Sequence, residues 1–425
     1  MRKHILAAAG LSVFGCIAHA QSAIPERTLG APTVVGSEPF RNIAAVRELS
    51  DGRLIVVERG PANAMMQSMM AGLAARMGRG GRGGRGGTMP DSLAPPPPRR
   101  VARVVMFDAG LTTATPVGQA GTGSGDYSQP DGLLAGLSDT TLLVDFGRGD
   151  LPVIDPIARI TAFRATPGSQ IALIAIGGMA VNGAGRLLYQ PRVQASRHTA
   201  AGMEIVTPDT APIVAYDFRT GGTIPVAQVH VEESSTTMES DPAKPGAMHM
   251  RMKTVPFPVI DDWVMTRDGT LAIIRGADLH IDWIAPNGKR SSTPAIPYAK
   301  VPVADSDKVK FRARLKDIEG LTDSMPMMPR GMSIAQSEPD SFPAFKPPFS
   351  ARGAKAAPDG TIWLPARFIS PASQDGFYVV GRDGRVREHV HLMKGQRLLG
   401  VGNGVVYVAV NEGPQDNRVA RVPLH

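Results

Sequence analysis

The chain has 425 residues with one cysteine, and its 46 Lys and Arg against 38 Asp and Glu give a formal net charge of +8. A single thiol excludes a disulfide framework and any paired-cysteine metal site. The placement of the charge argues against a nucleic-acid-binding body: Arg2 and Lys3 lie in a leader, and residues 61–100 carry six arginines against Asp91, which leaves the remainder within about one charge of neutral. The leader comes first in chain order. A basic Arg2-Lys3-His4, an apolar Ile5 to Ala18 and the small-x-small Ala18-His19-Ala20 predict a signal peptide over residues 1–20 and an exported, periplasmic or secreted protein. Val13-Phe14-Gly15-Cys16 is a poor lipobox, because Phe14 is bulky where a small residue belongs, and lipidation at Cys16 is the minor alternative. No later apolar run approaches span length, so the expected mature chain, residues 21–425, is one domain without a membrane span.

A strand, "RTLGAPTVVGS", opens that domain. Then a hairpin recurs: "AAVRELSDGRLIVVE" from Ala44, "WVMTRDGTLAIIR" from Trp263 and "AKAAPDGTIWLPA" from Ala354. Asp-Gly between apolar runs is a strong hairpin signal, since Gly accepts positive φ without steric cost. Degenerate copies are "GLLAGLSDTTLLVD", "GMAVNGAGRLLYQ" and "RLLGVGNGVVYVAV", and a third strand follows each hairpin. Six such units predict an all-β, six-bladed propeller. The last unit ends at His425 without a fourth strand of its own. Thr33 to Gly36 on the outer edge of that unit is therefore expected to close the ring and remove an exposed edge.

The stretch "VGQAGTGSGDYSQPDGLLAGLSDTTLLVDFGRGDLPVIDP", Val117 to Pro156, resembles the Gly-rich lead-in and following blade of NHL-like six-bladed propellers of exported bacterial proteins. It departs from them at "FGRGDLPVID", where the usual basic residue before the third strand is displaced. The resemblance implies the fold. Such propellers serve as binding platforms, lactonases or lyases, so function does not transfer with it.

Four insertions interrupt the units. Residues 59–100 in the first blade combine Met65, Met66, Met69, Met70 and Leu73 at helical spacing, the tract "RMGRGGRGGRGG" from Arg76 to Gly87, and Pro95 to Pro98. This segment is expected to overhang the channel mouth. Gln194 to Thr210 and His230 to Val255 read as polar and irregular. In the fourth, residues 305–345 before blade five, "SDKVKFRARLKDIEGL" alternates as a strand at Val309, Phe311, Ala313 and Leu315 but sets Phe311, Leu315 and Ile318 on one helical face; Asp305 or Ser306 as N-cap and the polar continuation favour a helix.

Chemistry-bearing patterns are sparse. "GTGSG" at Gly121 to Gly125 is followed by Pro130 and a hairpin rather than a helix, which excludes a phosphate loop. The Arg-Gly tract has no aromatic residue between Pro61 and Arg100, so nucleic acid is a secondary reading for Arg76–Gly87. His389 and His391 share one strand face, a pair able to hold a metal, but read more simply as two solvent-facing side chains on an outer strand. The 20 methionines include Met65 to Met70, Met248 to Met252 and Met325 to Met332, soft donors suited to Cu(I) or gap-filling residues under loops.

The expected ligand surface follows from topology. Residues at the starts of first strands and the ends of second strands share one mouth: Arg41, Glu58, Asp131, Asp145, Arg148, Asp262, Arg275, Arg352, Arg367, Asn411 and Glu412. Mixed carboxylates and arginines suit a small polar or anionic ligand or a protein partner. The leading expectation is thus a binding scaffold with no required cofactor. The alternative is a metal-dependent lactonase or lyase in which Glu58, Asp145, Asp262 and Asn411 converge on Ca or Zn, as in gluconolactonase-like propellers, whose motif these positions do not match one by one.

Overall fold

The computed structural model describes residues 24–60, 102–121, 123, 125–167, 175–199, 202–240, 248–323, 332–366, 376–413 and 416–424. The leader, Cys16, the Arg-Gly tract, Met65 to Met70, Met325 to Met328 and Arg367 lie outside these residues. Within them the chain is nearly all-β, with many sheets and one α-helix.

The hairpins form where the Asp-Gly signals fall. In each, a three-residue loop is closed by paired backbone bonds, as in Leu49 N–H to Arg53 C=O at 2.8 Å and Gly52 N–H to Leu49 C=O at 3.0 Å. Gly52, Gly269 and Gly360 take φ of +85°, +79° and +82°, the left-handed position that ends this loop type. The aspartate before each glycine accepts the N–H two residues on, at 3.1 Å for Asp51, 3.2 Å for Asp268 and 2.9 Å for Asp359. The Asp side chain therefore supports the turn that Gly permits.

Six sheets of four or five strands succeed one another along the chain. Their first two strands are Ile43–Glu48 and Leu54–Glu58, Pro130–Ala135 and Thr141–Asp145, Ala175–Val181 and Leu187–Pro191, Asp262–Met265 and Leu271–Arg275, Lys355–Ala356 and Ile362–Pro365, and Gln396–Val401 and Val405–Gly413. All pair antiparallel. The N-terminal strand Val34–Phe40 lies antiparallel on Asp416–Pro423, with Val34 opposite Arg421 and Val35 opposite Ala420. A second early strand, Glu26–Thr28, adds parallel to Val386–His391 of the fifth sheet.

Second strands are apolar on both faces because each sheet is covered on both sides. Leu54 and Val56 pack with Tyr407, Ala409 and Val419 of the sixth sheet. Ile55 and Val57, pointing the other way, pack with Leu143 and Ile154 of the second. All four are fully buried, each worth about 1.5–3 kcal/mol of transfer free energy. Similar clusters join the second sheet to the third, third to fourth, fourth to fifth and fifth to sixth. The first strand of each sheet touches that of the next, and the first strand of the sixth touches that of the first.

The insertions depart from the irregular structure expected of them. Ala195–Thr199, Gly202–Thr207, Ser234–Ser240, Met248–Thr254 and Met332–Gln336 make a separate five-stranded sheet. Its register sets Met203 opposite Met238 and Met238 opposite Met250, so period-two alternation places these methionines on one face. The helix α1 (Asp305–Asp323) forms as expected, with Phe311 packed on Phe257 and Phe342 at ring distances of 5.9 and 5.7 Å. Its first turn is closed differently from the expected Asp305 or Ser306 cap: the Asp307 carboxylate reaches back to accept the N–H of Ala304 at 3.0 Å. That satisfies a donor at a helix start otherwise left without an intrahelical partner.

Candidate functional site: charged groups where the first strands meet

Most carboxylates expected at the mouth are occupied by the protein's own backbone. Glu58, at the end of a second strand, accepts the N–H of Arg41 at 2.7 Å and Arg103 Nε–H at 2.6 Å. Asp145 ends the equivalent strand of the next sheet. It is fully buried and accepts the N–H groups of Ser128, Gln129 and Gly147 at 2.6, 2.7 and 2.9 Å. Asp262 accepts from Trp263 at 2.8 Å and from Gly353 and Ala354 at 3.1 Å each. Asp261, which the sequence reading passed over, takes His230 N–H and Gly276 N–H, both at 2.9 Å. These side chains are clasps that hold the chain where it enters and leaves the inner strands.

Of the residues expected to share a metal, Glu58, Asp145, Asp262 and Asn411, the three carboxylates are held apart from one another. Both oxygens of each carboxylate already accept hydrogen bonds, and the three do not form a set of metal-ligand atoms within 4.8 Å of one another. Asn411 is exposed, and its Oδ1 accepts Gly413 N–H at 2.8 Å.

The arginines divide in the same way. Arg148 pairs with Asp150 at 2.7 Å and stacks its guanidinium 4.5 Å over Phe163. Arg275 is held by Asp261 and Asp282, both at 2.7 Å. Arg41 is exposed and contributes its backbone, its C=O accepting from Asn417 Nδ2 at 2.8 Å. Arg352 is exposed, with a φ of +64° in the turn that feeds Asp262. Arg367 and the Glu412 side chain lie outside what is described.

A different group does meet. Asp131, on the first strand of the second sheet, pairs with Arg59, the residue after Glu58. Arg397, on the first strand of the sixth sheet, donates to Ile43 C=O at 2.9 Å, and its pKa is lowered by burial and then by Arg59. Lys355 begins the first strand of the fifth sheet. Burial pushes its ammonium down; Asp262 opposes that shift and Arg397 adds to it. Burial also pushes the Asp262 carboxyl up, against the backbone N–H groups that favour its charge.

Arg397 remains accessible to solvent while protein surrounds it closely enough to penalise its charge. The cluster holds three cations, Arg59, Lys355 and Arg397, and two carboxylates. Among the described residues neither Lys355 nor Arg397 has an ion-pair partner. The sequence reading found Asp131 and Asp262 but missed Arg59, Lys355 and Arg397. The available signal was a basic residue at the start of two first strands, "AKAAP" and "QRLLG".

His389 and His391 also correct an expectation. They share a face as read, but His389 is only 4% exposed, because the strand Glu26–Thr28 covers them. Tyr378 stacks on His389 with ring centroids 4.4 Å apart.

No family model matches the chain, and no curated protein matches it. Solved structures similar to it include a member of the DUF4221 family from Bacteroides vulgatus, at 10% identity over 94% of this chain and 97% of that one, with a TM-score of 0.42. A virginiamycin B lyase from Staphylococcus aureus has 9% identity, 92% and 98% coverage and a TM-score of 0.38. A gluconolactonase from Xanthomonas campestris has 9% identity, 93% and 99% coverage and a TM-score of 0.37. Likeness at this level carries no argument about activity.

Proposed function

We propose that the six successive sheets are the blades of one closed propeller of an exported protein, which binds a small anionic ligand where the first strands meet, through Lys355, Arg397 and Arg59. The cyclic succession of first-strand contacts and of core clusters supports the ring. The observation that carries the ligand class is Lys355 beside Arg397 on touching first strands, neither with an ion-pair partner among the described residues. The two cations oppose each other's charge, and a carboxylate or phosphate can accept from both at once. Chain connectivity adds support: each of the four insertions leaves and rejoins the sheets at the end where Lys355 and Arg397 lie, the elaborated end of the strands. A surface offered to protein partners is a broader form of the same reading.

Titration calorimetry with citrate, gluconate, inorganic phosphate and uncharged glucose tests it. At least one anion is expected to bind where glucose does not, and Lys355→Met is expected to weaken that binding by about tenfold or more, the loss of one charge-assisted contact. Equal affinity of Lys355→Met and the parent for every anion would sink the proposal. Hydrolase or lyase chemistry at the same place is the second reading, with Lys355, whose ammonium burial pushes down beside Arg397, as the acid–base group. Lactone turnover that Lys355→Met abolishes and a chelator leaves untouched would move the assignment from binding to catalysis.

A further inference from the structure

Away from the inner strands, on the fourth strand of the fifth sheet, His389 and His391 meet Glu26 of the N-terminal strand, which lies 363 positions before His389 in the chain. Glu26, His389 and His391 each offer one donor atom, and these atoms lie within 4.8 Å of one another. Glu26 Oε1 stands 3.7 Å from His389 Nδ1, and Oε2 stands 3.5 Å from His391 Nε2. Both separations are too long for hydrogen bonds. Each is within a few tenths of an ångström of the roughly 3.4 Å that separates two donors on one zinc with bonds of about 2.0–2.1 Å.

The surroundings hold this arrangement in place. The parallel register sets Glu26 opposite His389 and Thr28 opposite His391. It is fixed by His389 N–H to Pro25 C=O at 2.8 Å and by Leu29 N–H to His391 C=O at 2.9 Å. On the opposite face of the short strand, Arg27 is tied to Glu388 at 2.9 Å and to Leu424 C=O at 2.6 Å. Tyr378 stacks on the His389 ring at 18°, and the two imidazoles lie 4.0 Å apart between centroids. Gly376 faces them, where a Cβ would come within 2.8 Å of His389 Nε2; only glycine leaves the rings this space. The far-side nitrogens, His389 Nε2 and His391 Nδ1, are buried without a hydrogen-bond partner among the described residues.

We propose that Glu26, His389 and His391 form a divalent-cation site of the zinc class, which clamps the N-terminal strand to the outer edge of the fifth sheet. Two imidazoles and a carboxylate are borderline donors suited to zinc, and three protein ligands leave a fourth position for water. The site is independent of the anion-binding cluster.

Chelator-treated protein is titrated with zinc chloride by calorimetry, and its melting temperature is followed with and without the metal. One zinc per chain and a rise in melting temperature are expected. His389→Gln with His391→Gln should abolish both, while Glu26→Gln, at an exposed position, should keep the fold and weaken binding about tenfold or more, as loss of one ligand does. Co(II) substituted for zinc should give the visible spectrum of a four-coordinate site. Zinc binding of unchanged stoichiometry and affinity in both variants, or no binding by the parent above that of the double variant, would overturn the assignment.

Discussion

Replacing Asp145 separates a clasp from a ligand-binding carboxylate. Its two oxygens accept three backbone N–H groups at 2.6 to 2.9 Å, and the residue is fully buried. Hydrogen bonds to a charged group contribute about 1.5–3 kcal/mol each, and a buried donor left unpaired costs about 1–3 kcal/mol. Asp145→Ala strands three donors at the entry to one inner strand, so a loss of about 3–6 kcal/mol is expected, a large part of the 5–15 kcal/mol typical of a domain. Asp145→Asn keeps one acceptor oxygen and turns an amide N–H₂ towards the remaining donors, for a loss of about 2–4 kcal/mol. Urea unfolding followed by circular dichroism reads both variants as a fall in midpoint at constant slope. A carboxylate kept for a ligand would behave in the opposite way: removing its buried, unpaired charge would raise stability. Asp145→Asn within about 0.5 kcal/mol of the parent, the usual range for a neutral surface change, would refute the clasp.

Three further outcomes follow from other parts of the molecule. Gly52→Ala meets only Ala109 Cβ at 3.5 Å, so its cost is the backbone penalty of a φ of +85° alone, about 1–2 kcal/mol by thermal or urea unfolding. Tyr407 is almost fully buried and its pKa is pushed up to about 12 by burial, with Glu48 adding to the shift. Its phenol thus stays neutral in the folded chain while the unfolded one ionises near pH 10; the resulting stability is complete below pH 10 and is lost as pH rises towards 12, by up to about 3 kcal/mol. Tyr407→Phe should flatten that part of the stability–pH profile, and an unchanged profile would contradict the assignment. The lowered pKa of Lys355 means that anion affinity should fall with rising pH before ordinary lysines titrate, a fall that Lys355→Arg should remove while keeping the binding itself.

The sheets were legible because their signals are local. Asp-Gly at positions 51–52, 268–269 and 359–360 dictates a loop whose third residue needs positive φ, and the flanking apolar runs leave a single register. The pairing of Val34–Phe40 with the last strand was legible from an edge otherwise left open. The carboxylates misled because a side chain's type does not tell what meets it: Glu58 and Asp145 look like ligands for a guest until the N–H groups of Arg41, Ser128 and Gln129 are seen on them. Lys355 and Arg397 were hidden inside short inner strands, where one basic residue reads as the polar half of an alternation. The burial of His389 depends on a three-residue strand, Glu-Arg-Thr, too short and too polar to announce itself. The insertion sheet is built from Ser, Thr and Met strands such as "SSTTMES" and "MHMRMKT", whose alternation is present but carries little of the apolar contrast from which strands are read.

Anomalous diffraction from crystals soaked in selenate tests directly whether an anion binds between Lys355, Arg397 and Arg59 where the first strands meet, because the selenium position can be located without assuming a site. An anomalous peak is expected within hydrogen-bonding reach of Lys355 Nζ and the Arg397 guanidinium, absent from crystals of Lys355→Met. Selenate bound only elsewhere, or bound at this place equally in both proteins, would contradict the proposal.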